Sequence, residues 1–220
     1  MLGLSCKGTP IIVSNTFIYL ASQSPRRQEL LKQIGVRFEM LLPQPGEDTE
    51  TIEIPRPNEK ARNYVERVTF AKSVVALKRW KESGLPWAPI LCADTTVSLP
   101  GTHDGEILGK PADALDAARI LQMLSGNTHE VLTALALTID PNEIPVCLLQ
   151  VSQVQFADLS QEQIEAYIAS GEPFGKAGAY GIQGRAGAFI STIQGSYSGI
   201  MGLPLYETAQ LLDRAHLNRI

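Results

Sequence analysis

The stretch YLASQSPRRQELL, residues 19–31, predicts a strand that turns sharply into a helix. The apolar run FIYLA, residues 17–21, has the length and composition of a short buried strand. Ser24 can cap the helix that follows, Pro25 suits its first position, and Gly35 supplies a left-handed stop. The segment therefore predicts the first strand, turn and helix of an α/β protein.

Two arginines, Arg26 and Arg27, fall in the first turn of that helix, where the backbone dipole is already positive. An exposed cation at this position is unfavourable by roughly 0.3 to 1 kcal/mol. Long arginine side chains can simply extend into water. Alternatively, the free backbone N–H groups and the two guanidinium groups together form a site for phosphate. The stretch by itself leaves both interpretations open.

Composition and charge indicate an ordinary globular protein. The 220 residues are 44% hydrophobic and 19% charged, which argues against disorder and is enough for one large domain or two small lobes. No apolar run approaches the ~20 residues that span a bilayer, so no membrane partner is expected. A net charge of -4 gives no general basic field for nucleic acid, so any cationic site must be local.

The cysteines and histidines predict neither a disulfide framework nor a metal site. The three cysteines have no paired spacing, which favours a reducing compartment and hence a cytoplasmic location: Cys6, Cys92 and Cys147. The scattered histidines are expected to have structural roles: His103, His129 and His216. Residues 1–16 lack the pattern of a signal peptide, and we expect them to be a short extension, disordered or strand-forming, before a single domain at 17–220.

A polar loop and a long helix follow a short strand that is predicted at residues 36–42. The loop, residues 43–57, has a length at which a functional role is common, and it carries Glu47. The helix is predicted at residues 58–83, with Lys72 between valines on its apolar face. A lysine there either extends to the rim of the core or faces an anion-holding cleft. The helical pattern alone favours the rim.

Asp94 is predicted to end an apolar strand that begins at Pro89. Ligand sites in α/β folds gather at the carboxyl ends of strands, so Asp94 is well placed to bind a metal or to activate water. An aspartate at a strand end is also a common turn former. Lys110 lies in a later turn, and the helix after it is predicted to face the core with Leu115, Ala118, Leu121 and Leu124.

The C-terminal half is predicted to contain a strand pair, two helices and a glycine-rich segment. The stretches THEVLTALALTID and VCLLQVSQVQFADL predict consecutive antiparallel strands. The helix in SQEQIEAYIASG opens with a capping box of Ser160 and Gln163, and another helix is predicted in GLPLYETAQLLDRAHL. The glycine-rich segment around Lys176, residues 171–187, lacks the spacing of a P-loop, but its glycines allow close backbone approach to a ligand.

Several sequence blocks in a fixed order resemble the Maf family of nucleoside triphosphate pyrophosphatases. They run from Phe17 to Leu212 and are LASQSPRRQELL, ADTTV, LGKP, LSGNTHEVLTALAL, KAGAYGIQG and GSYSGIMGLP. The resemblance implies two lobes around an elongated mixed sheet, with a nucleotide cleft between them. It places Ser22, Arg26 and Arg27 on the family's phosphate-binding turn. It places Asp94 on the family's proposed general base.

The same resemblance implies roles for the remaining charged and polar positions. The other charged positions of the family's catalytic cleft are matched by Lys72, Lys110 and Glu47. A divalent ion, Mg²⁺ or Mn²⁺, is implied near Glu47 and Asp94, whose hard oxygen ligands suit it. Further substrate contacts are implied at Thr95, Lys176 and Gln183.

Short motifs separate the branches of the family. The branch that acts on dTTP and UTP has Ser-Pro-Arg-Arg, Ala-Asp-Thr and Tyr-Gly-Ile-Gln-Gly, as this chain does. The branch that acts on 7-methyl-GTP tends to have tryptophan for the first arginine and glutamine for the threonine. Arg26, Thr95 and Gln183 therefore point to the pyrimidine branch, since a glutamine amide can both donate to and accept from a uracil or thymine edge. Gly175 departs from the family, many members of which have aspartate there.

The implied reaction is attack of water on the α-phosphorus of a nucleoside triphosphate, which releases a monophosphate and pyrophosphate. Such an enzyme removes unwanted nucleotides from the nucleotide pool. A homodimer is implied by the resemblance only. Two alternatives stay open. One is a nucleotide-binding regulator of septation without turnover, and the other is a pyrophosphatase of the related ITP or XTP group, which differs in base choice. The acids of the predicted site favour turnover, because a pure binder would not need them.

Overall fold

The computed structural model describes residues 17–44, 46–47, 51–100 and 106–217, and a seven-stranded mixed sheet organises them. The strands are β1 (Ile18–Leu20), β2 (Phe38–Met40), β3 (Ile90–Leu99), β4 (Glu106–Leu108), β5 (Thr128–Thr138), β6 (Val146–Phe156) and β7 (Ile190–Gln194). Their order is β2, β1, β3, β5, β6, β7, with β4 also paired to β3. β1 is parallel to β2 and β3, and the other pairs are antiparallel. The predicted mixed α/β fold is confirmed.

Six α-helices pack around the sheet in the described part of the chain. They are α1 (Pro25–Gln33), α2 (Ala61–Ser83), α3 (Ala114–Leu124), α4 (Gln161–Ala169), α5 (Tyr197–Met201) and α6 (Leu205–Arg214), and short 3₁₀ turns occur at Thr51–Glu53, Ala177–Ala179 and Arg185–Phe189. None of the helices in the described ranges has the length and apolar character needed to cross a bilayer. The predicted extension at residues 1–16, with Cys6, and also His103 lie outside the described residues.

The edge of β3 opposite β5 has a gap in its strand pairing. β5 pairs with β3 continuously from Ile90 to Ser98, so that edge is filled. On the other edge, β1 pairs with Ile90 and Leu91, and β4 pairs with Val97 to Leu99. Between these two partners, no strand of the described chain pairs with residues 92–96. The gap matters because Asp94 and Thr95 lie at its centre.

The two faces of β3 bury different sets of side chains, since successive residues of a strand point to opposite sides. On one face, Ile90 and Cys92 pack beneath α2 together with Ala76. On the other face, Leu91 and Ala93 join an apolar cluster with α1 and α6, whereas Val97 and Leu99 join a second cluster with α3 and α4. Thr95 lies between these two clusters. They are the two lobes that the resemblance implies, and the space between them opens at the gap in the sheet.

The prediction that Asp94 ends a strand is wrong. β3 continues five residues further, to Leu99, because β5 pairs with it without interruption through Asp94 opposite Ala134. Asp94 is therefore a mid-strand residue. It is accessible from the cleft because the neighbouring strands leave the gap beside it.

Local signals in the sequence predict five of the six described helices, but not the short α5, and α2 begins at Ala61 and not at residue 58. The helix at Pro25, the positive φ of Gly35 and the capping box of Ser160 and Gln163 are confirmed, although the Ser24 side chain makes no capping hydrogen bond. The predicted core residue Leu115 is wrong, because it is 82% exposed. The buried face of α3 instead consists of Ala117, Ile120, Leu121 and Leu124.

His129 on β5 has the structural role that the sequence predicts for it. The imidazole is fully buried, its Nε2 lies 2.8 Å from the hydroxyl of Tyr180, and its ring meets Phe156 edge-on. Burial lowers the pKa of His129 to about 4. The imidazole is therefore neutral in the folded protein at neutral pH.

Acidification should destabilise the protein between pH 6.5 and 4 through His129. An exposed imidazole of the unfolded chain titrates near ~6.5, so the unfolded state binds the extra proton first as the pH falls. The free energy of unfolding should then decrease by up to about 1.4 kcal/mol per pH unit in this window. Urea denaturation followed by circular dichroism at pH 7, 6, 5 and 4.5 measures it. His129→Gln is the control, and an equally steep pH dependence in this variant would contradict the assignment.

Candidate active site

A cavity of about 630 Å³ lies at the gap in the sheet, between the two apolar lobes. This volume is within the range of small-molecule sites, about 300 to 1,000 Å³. Its lining includes Asp94 and Thr95, which are adjacent on β3 and project to opposite faces of the sheet. The gap therefore lets one cavity contact groups from both faces.

Acidic and basic side chains alternate along the α2 side of the cavity. Lys72 on α2 donates to Asp94 Oδ1 at 2.7 Å and to Glu53 Oε1 at 2.6 Å. Lys110, just after β4, donates to Glu53 Oε2 at 2.8 Å. Lys72 therefore faces the cleft and not the rim of the core, contrary to what the helical pattern alone favours. The physical reason is that Asp94 and Glu53 compensate its charge.

Glu53 lines the cavity within this cluster, and the sequence analysis did not identify it. It belongs to the 3₁₀ turn Thr51–Glu53, in the loop before α2. Burial raises its pKa, but the ammonium groups of Lys72 and Lys110 outweigh this effect and hold the pKa at about 2. No local signal distinguishes it, because the same loop carries several other acidic residues.

Glu47, predicted to act with Asp94, is not brought to Asp94. Both of its carboxylate oxygens bind Arg79, with Nε to Oε2 at 2.9 Å and Nη2 to Oε1, and these hydrogen bonds lower the pKa of Glu47. Arg79 lies about two helical turns beyond Lys72 on α2, which is roughly 10 Å along the axis. The buried guanidinium of Arg79 therefore keeps Glu47 away from the cluster, where Glu53 is present instead.

Arg27 joins the first turn of α1 to the floor of the cavity. Its Nε donates to the carbonyl of Gly202 at 2.8 Å, its Nη1 to Ser22 Oγ at 3.1 Å and its Nη2 to Thr95 Oγ1 at 3.4 Å. Burial lowers the pKa of Arg27, and the nearby carboxylate of Asp94 raises it in part. Arg27 is therefore held in the cleft and does not extend into water.

Thr95 and Ser22 are both engaged in fixing this part of the cleft. Thr95 Oγ1 lies 2.9 Å from Thr133 Oγ1, and Thr133 donates in turn to the carbonyl of Gly199 at 2.8 Å. Ser22 Oγ also accepts the backbone N–H of Ser24 at 3.2 Å. These bonds link the turn before α1 with β3, β5 and α5 around the guanidinium.

Arg26 and Lys176 supply further positive charge to the cavity lining. Within the described ranges, no hydrogen bond or ion pair engages the Arg26 side chain, which leaves its guanidinium available to a ligand. Lys176 donates to the backbone carbonyl of Glu172. Burial lowers the pKa of Lys176, and the charge of Arg26 lowers it further. An anion between these two cations would relieve their repulsion.

Lys176 and Gln183 converge above Gly181. A β-carbon at Gly181 would lie 3.2 Å from Lys176 Cδ and 3.5 Å from Gln183 Oε1, so a side chain here would crowd both. Gln183 is exposed and lines the cavity. The structure thus brings together every predicted site residue except Glu47.

Comparisons with known proteins cover nearly all of these elements. The family model described as Maf-like protein matches residues 17–215. The chain is 55% identical over 204 residues to the dTTP/UTP pyrophosphatase of Burkholderia pseudomallei (strain 1710b), covering 93% of this chain and 96% of that protein. It is 57% identical over 206 residues to the protein of the same name from Ralstonia nicotianae, covering 94% and 97%. The similarity extends from β1 to α6.

Proposed function

The chain belongs to the Maf family, and on this premise we propose that it hydrolyses dTTP and UTP to the monophosphate and pyrophosphate. The single observation that carries the proposal is the cluster of Lys72, Asp94, Glu53 and Lys110 in one cavity with Arg26, Arg27 and Lys176. Five cations around two carboxylates suit a polyphosphate whose hydrolysis needs both charge neutralisation and an acceptor for a proton. The relatives of this chain are named dTTP/UTP pyrophosphatase, which supports dTTP and UTP as the substrates.

The cations act as the phosphate-binding groups. Arg26 and the backbone N–H groups at the start of α1 bind the triphosphate, since α1 directs its positive end toward the cavity. Arg27 adds charge from a fixed position. Lys110 and Lys176 offset charge that develops on the leaving pyrophosphate.

Asp94 is the group that orients and deprotonates the attacking water. The water oxygen forms a bond to the α-phosphorus, the bond from that phosphorus to the bridging oxygen breaks, and pyrophosphate leaves with the electron pair. The proton of the water passes to Asp94. Lys72 Nζ, which donates to Asp94 Oδ1 at 2.7 Å, holds that carboxylate in place at the cavity.

Asp94 and Glu53 are the residues that would hold a divalent ion such as Mg²⁺ or Mn²⁺. No cluster of three or more histidine, cysteine, aspartate or glutamate side chains is placed for an ion in the described chain. Two carboxylates still fit, because Mg²⁺ usually takes one or two carboxylates together with phosphate oxygens and water. When bound, the ion would supply charge neutralisation at the phosphates. Glu53 replaces Glu47 in this proposal.

Gln183 is the residue that recognises the base in this proposal. Its amide can accept from N3–H of uracil or thymine and donate to a ring carbonyl oxygen, whereas cytosine lacks that N3–H.

We also propose a homodimer and a cytoplasmic location, on the resemblance to the family and the unpaired cysteines. The net charge of -4 supports the absence of a nucleic-acid partner.

Pyrophosphate release from a nucleotide panel tests the substrate class. With Mg²⁺ or Mn²⁺, we expect turnover of dTTP and UTP with kcat/KM at least about 10-fold above that of CTP, ITP, GTP and 7-methyl-GTP, because a well-placed hydrogen-bonding site rejects bases that leave it unpaired. Gln183→Leu should reduce the preference for UTP over CTP without abolishing turnover. The matched control is Gln210→Leu on the exposed surface of α6.

The panel also separates the two alternatives. Preferential hydrolysis of ITP would assign the chain to the purine group. Binding of nucleotides without release of pyrophosphate would overturn the proposed enzymatic activity and favour a nucleotide-binding regulator without turnover.

A further inference from the structure

We infer that Arg67, held by Glu59 and assisted by Tyr64, is a positioning residue that fixes Glu53 at the cleft. None of these three residues lines the cavity in the described structure. They act through the backbone of the 3₁₀ turn that carries Glu53. The kinetic part of this inference rests on the proposed function.

Arg67 and Tyr64 donate hydrogen bonds to three consecutive backbone carbonyl groups. Arg67 Nη1 donates to the carbonyl of Ile52 at 3.1 Å, and Nη2 donates to that of Ile54 at 3.1 Å. The Tyr64 hydroxyl donates to the carbonyl of Glu53, between them, at 2.8 Å. Two side chains on the first turns of α2 therefore hold the whole turn by its main chain.

Glu59 fixes the orientation of the Arg67 guanidinium. Its Oε1 accepts from Arg67 Nε at 2.6 Å, and its Oε2 accepts from Arg67 Nη2 at 2.8 Å. Oε2 also accepts the backbone N–H of Arg56 at 3.0 Å, and the guanidinium lies 5.5 Å from the ring centre of Tyr64. A bidentate pair of this kind fixes the plane of the guanidinium as well as its position.

The pair is not an ordinary surface ion pair. The side chains of Arg67 and Glu59 are only 21% and 8% exposed. The backbone hydrogen bond across the turn, from Ile54 N to the Thr51 carbonyl, is long, at 3.4 Å. Arg67 and Tyr64 thus connect the turn that carries Glu53 to α2.

Loss of the Arg67 contacts should reduce catalysis by displacing Glu53. We expect Arg67→Met to lower kcat for UTP about 10- to 100-fold, because a shift of about 1 Å in a catalytic group has an effect of this size. The KM for UTP should change less than threefold. Arg119→Met is the control, since Arg119 also donates through Nε and Nη2 to one acid outside the cavity, at 3.0 and 2.8 Å to Asp116 Oδ1. It should leave kcat unchanged.

A double-mutant cycle with Glu53→Gln separates positioning from a general loss of stability. If Arg67 acts through Glu53, Arg67→Met should lower kcat less than twofold when Glu53 is already glutamine. An equal loss in both backgrounds would overturn the inference. If Arg67→Met does not fold, Tyr64→Phe removes a single bond to the turn and enters the same cycle.

The position of Glu53 tests the inference without turnover. In ¹³C NMR spectra recorded at pH 7, with Glu53→Gln used for assignment, the resonance of the Glu53 carboxyl carbon should shift in Arg67→Met and in Tyr64→Phe, as Glu53 separates from Lys72 and Lys110. The resonance should stay in place in the control Arg119→Met. An unchanged resonance in Arg67→Met would overturn the positioning role. Absence of wild-type UTP turnover would instead overturn the proposed function and leave this measurement intact.

Discussion

Asp94→Asn should abolish pyrophosphate release while the protein stays folded. An amide cannot accept the proton of the attacking water, and loss of such a base lowers kcat by about 10²- to 10⁴-fold. Nucleotide binding should persist or tighten, because the substitution removes a negative charge that faces the triphosphate. The measurement is steady-state release of pyrophosphate from UTP, with UTP binding followed by calorimetry.

Asp140→Asn is the control for Asp94→Asn. Asp140 is an exposed aspartate in the turn between β5 and β6, where it accepts the backbone N–H of Asn142 at 2.8 Å. This variant should retain full activity. If Asp94→Asn kept more than a tenth of wild-type kcat, Asp94 would not be the acceptor of the proton.

Arg27→Ala should lower kcat/KM for UTP by at least about 100-fold, or roughly 2.7 kcal/mol of transition-state stabilisation. The substitution removes a cation from the cavity together with the bonds to Ser22, Thr95 and Gly202. Arg27→Lys should restore little, because an ammonium cannot reproduce the planar fork that makes these contacts. Steady-state kinetics and thermal unfolding should be measured on both variants.

Arg26→Ala and Arg119→Ala provide the comparison for Arg27. Arg26 has no ion pair within the described ranges, so its loss should raise KM more than it lowers kcat and should barely change the melting temperature. Arg119→Ala, outside the cavity, should change neither constant. Kinetic constants for Arg27→Ala within threefold of wild type would remove that arginine from the phosphate site.

Local signals account for the elements that could be predicted. Pro25 and Gly35 define α1, and Ser160 and Gln163 define the start of α4, because each acts on neighbouring backbone groups only. The long antiparallel pair β5 and β6 follows from its length and composition. These signals depend on residues within a few positions of one another.

The errors share a different cause. The strand predicted to stop at Asp94 continues because β5 supplies a partner from a distant part of the chain. Glu47 and Glu53 occupy the same loop, and only the positions of Arg79 and Lys72 on a folded α2 determine which acid reaches the cleft. Leu115 satisfies the helical period but is left uncovered by the neighbouring lobe.

The sequence by itself determined the α/β class, the approximate positions of five of the six described helices, the family resemblance and most of the charged residues of the cavity. Tertiary structure alone decided that β1 and β4 leave a gap on one edge of β3, so that Asp94 and Thr95 contribute to one cavity from opposite faces of the sheet. It also decided that Glu53, and not Glu47, lies beside Asp94 on Lys72. The reason is physical: capping and periodicity act over a few residues, whereas strand pairing and charge compensation join residues that only folding brings together.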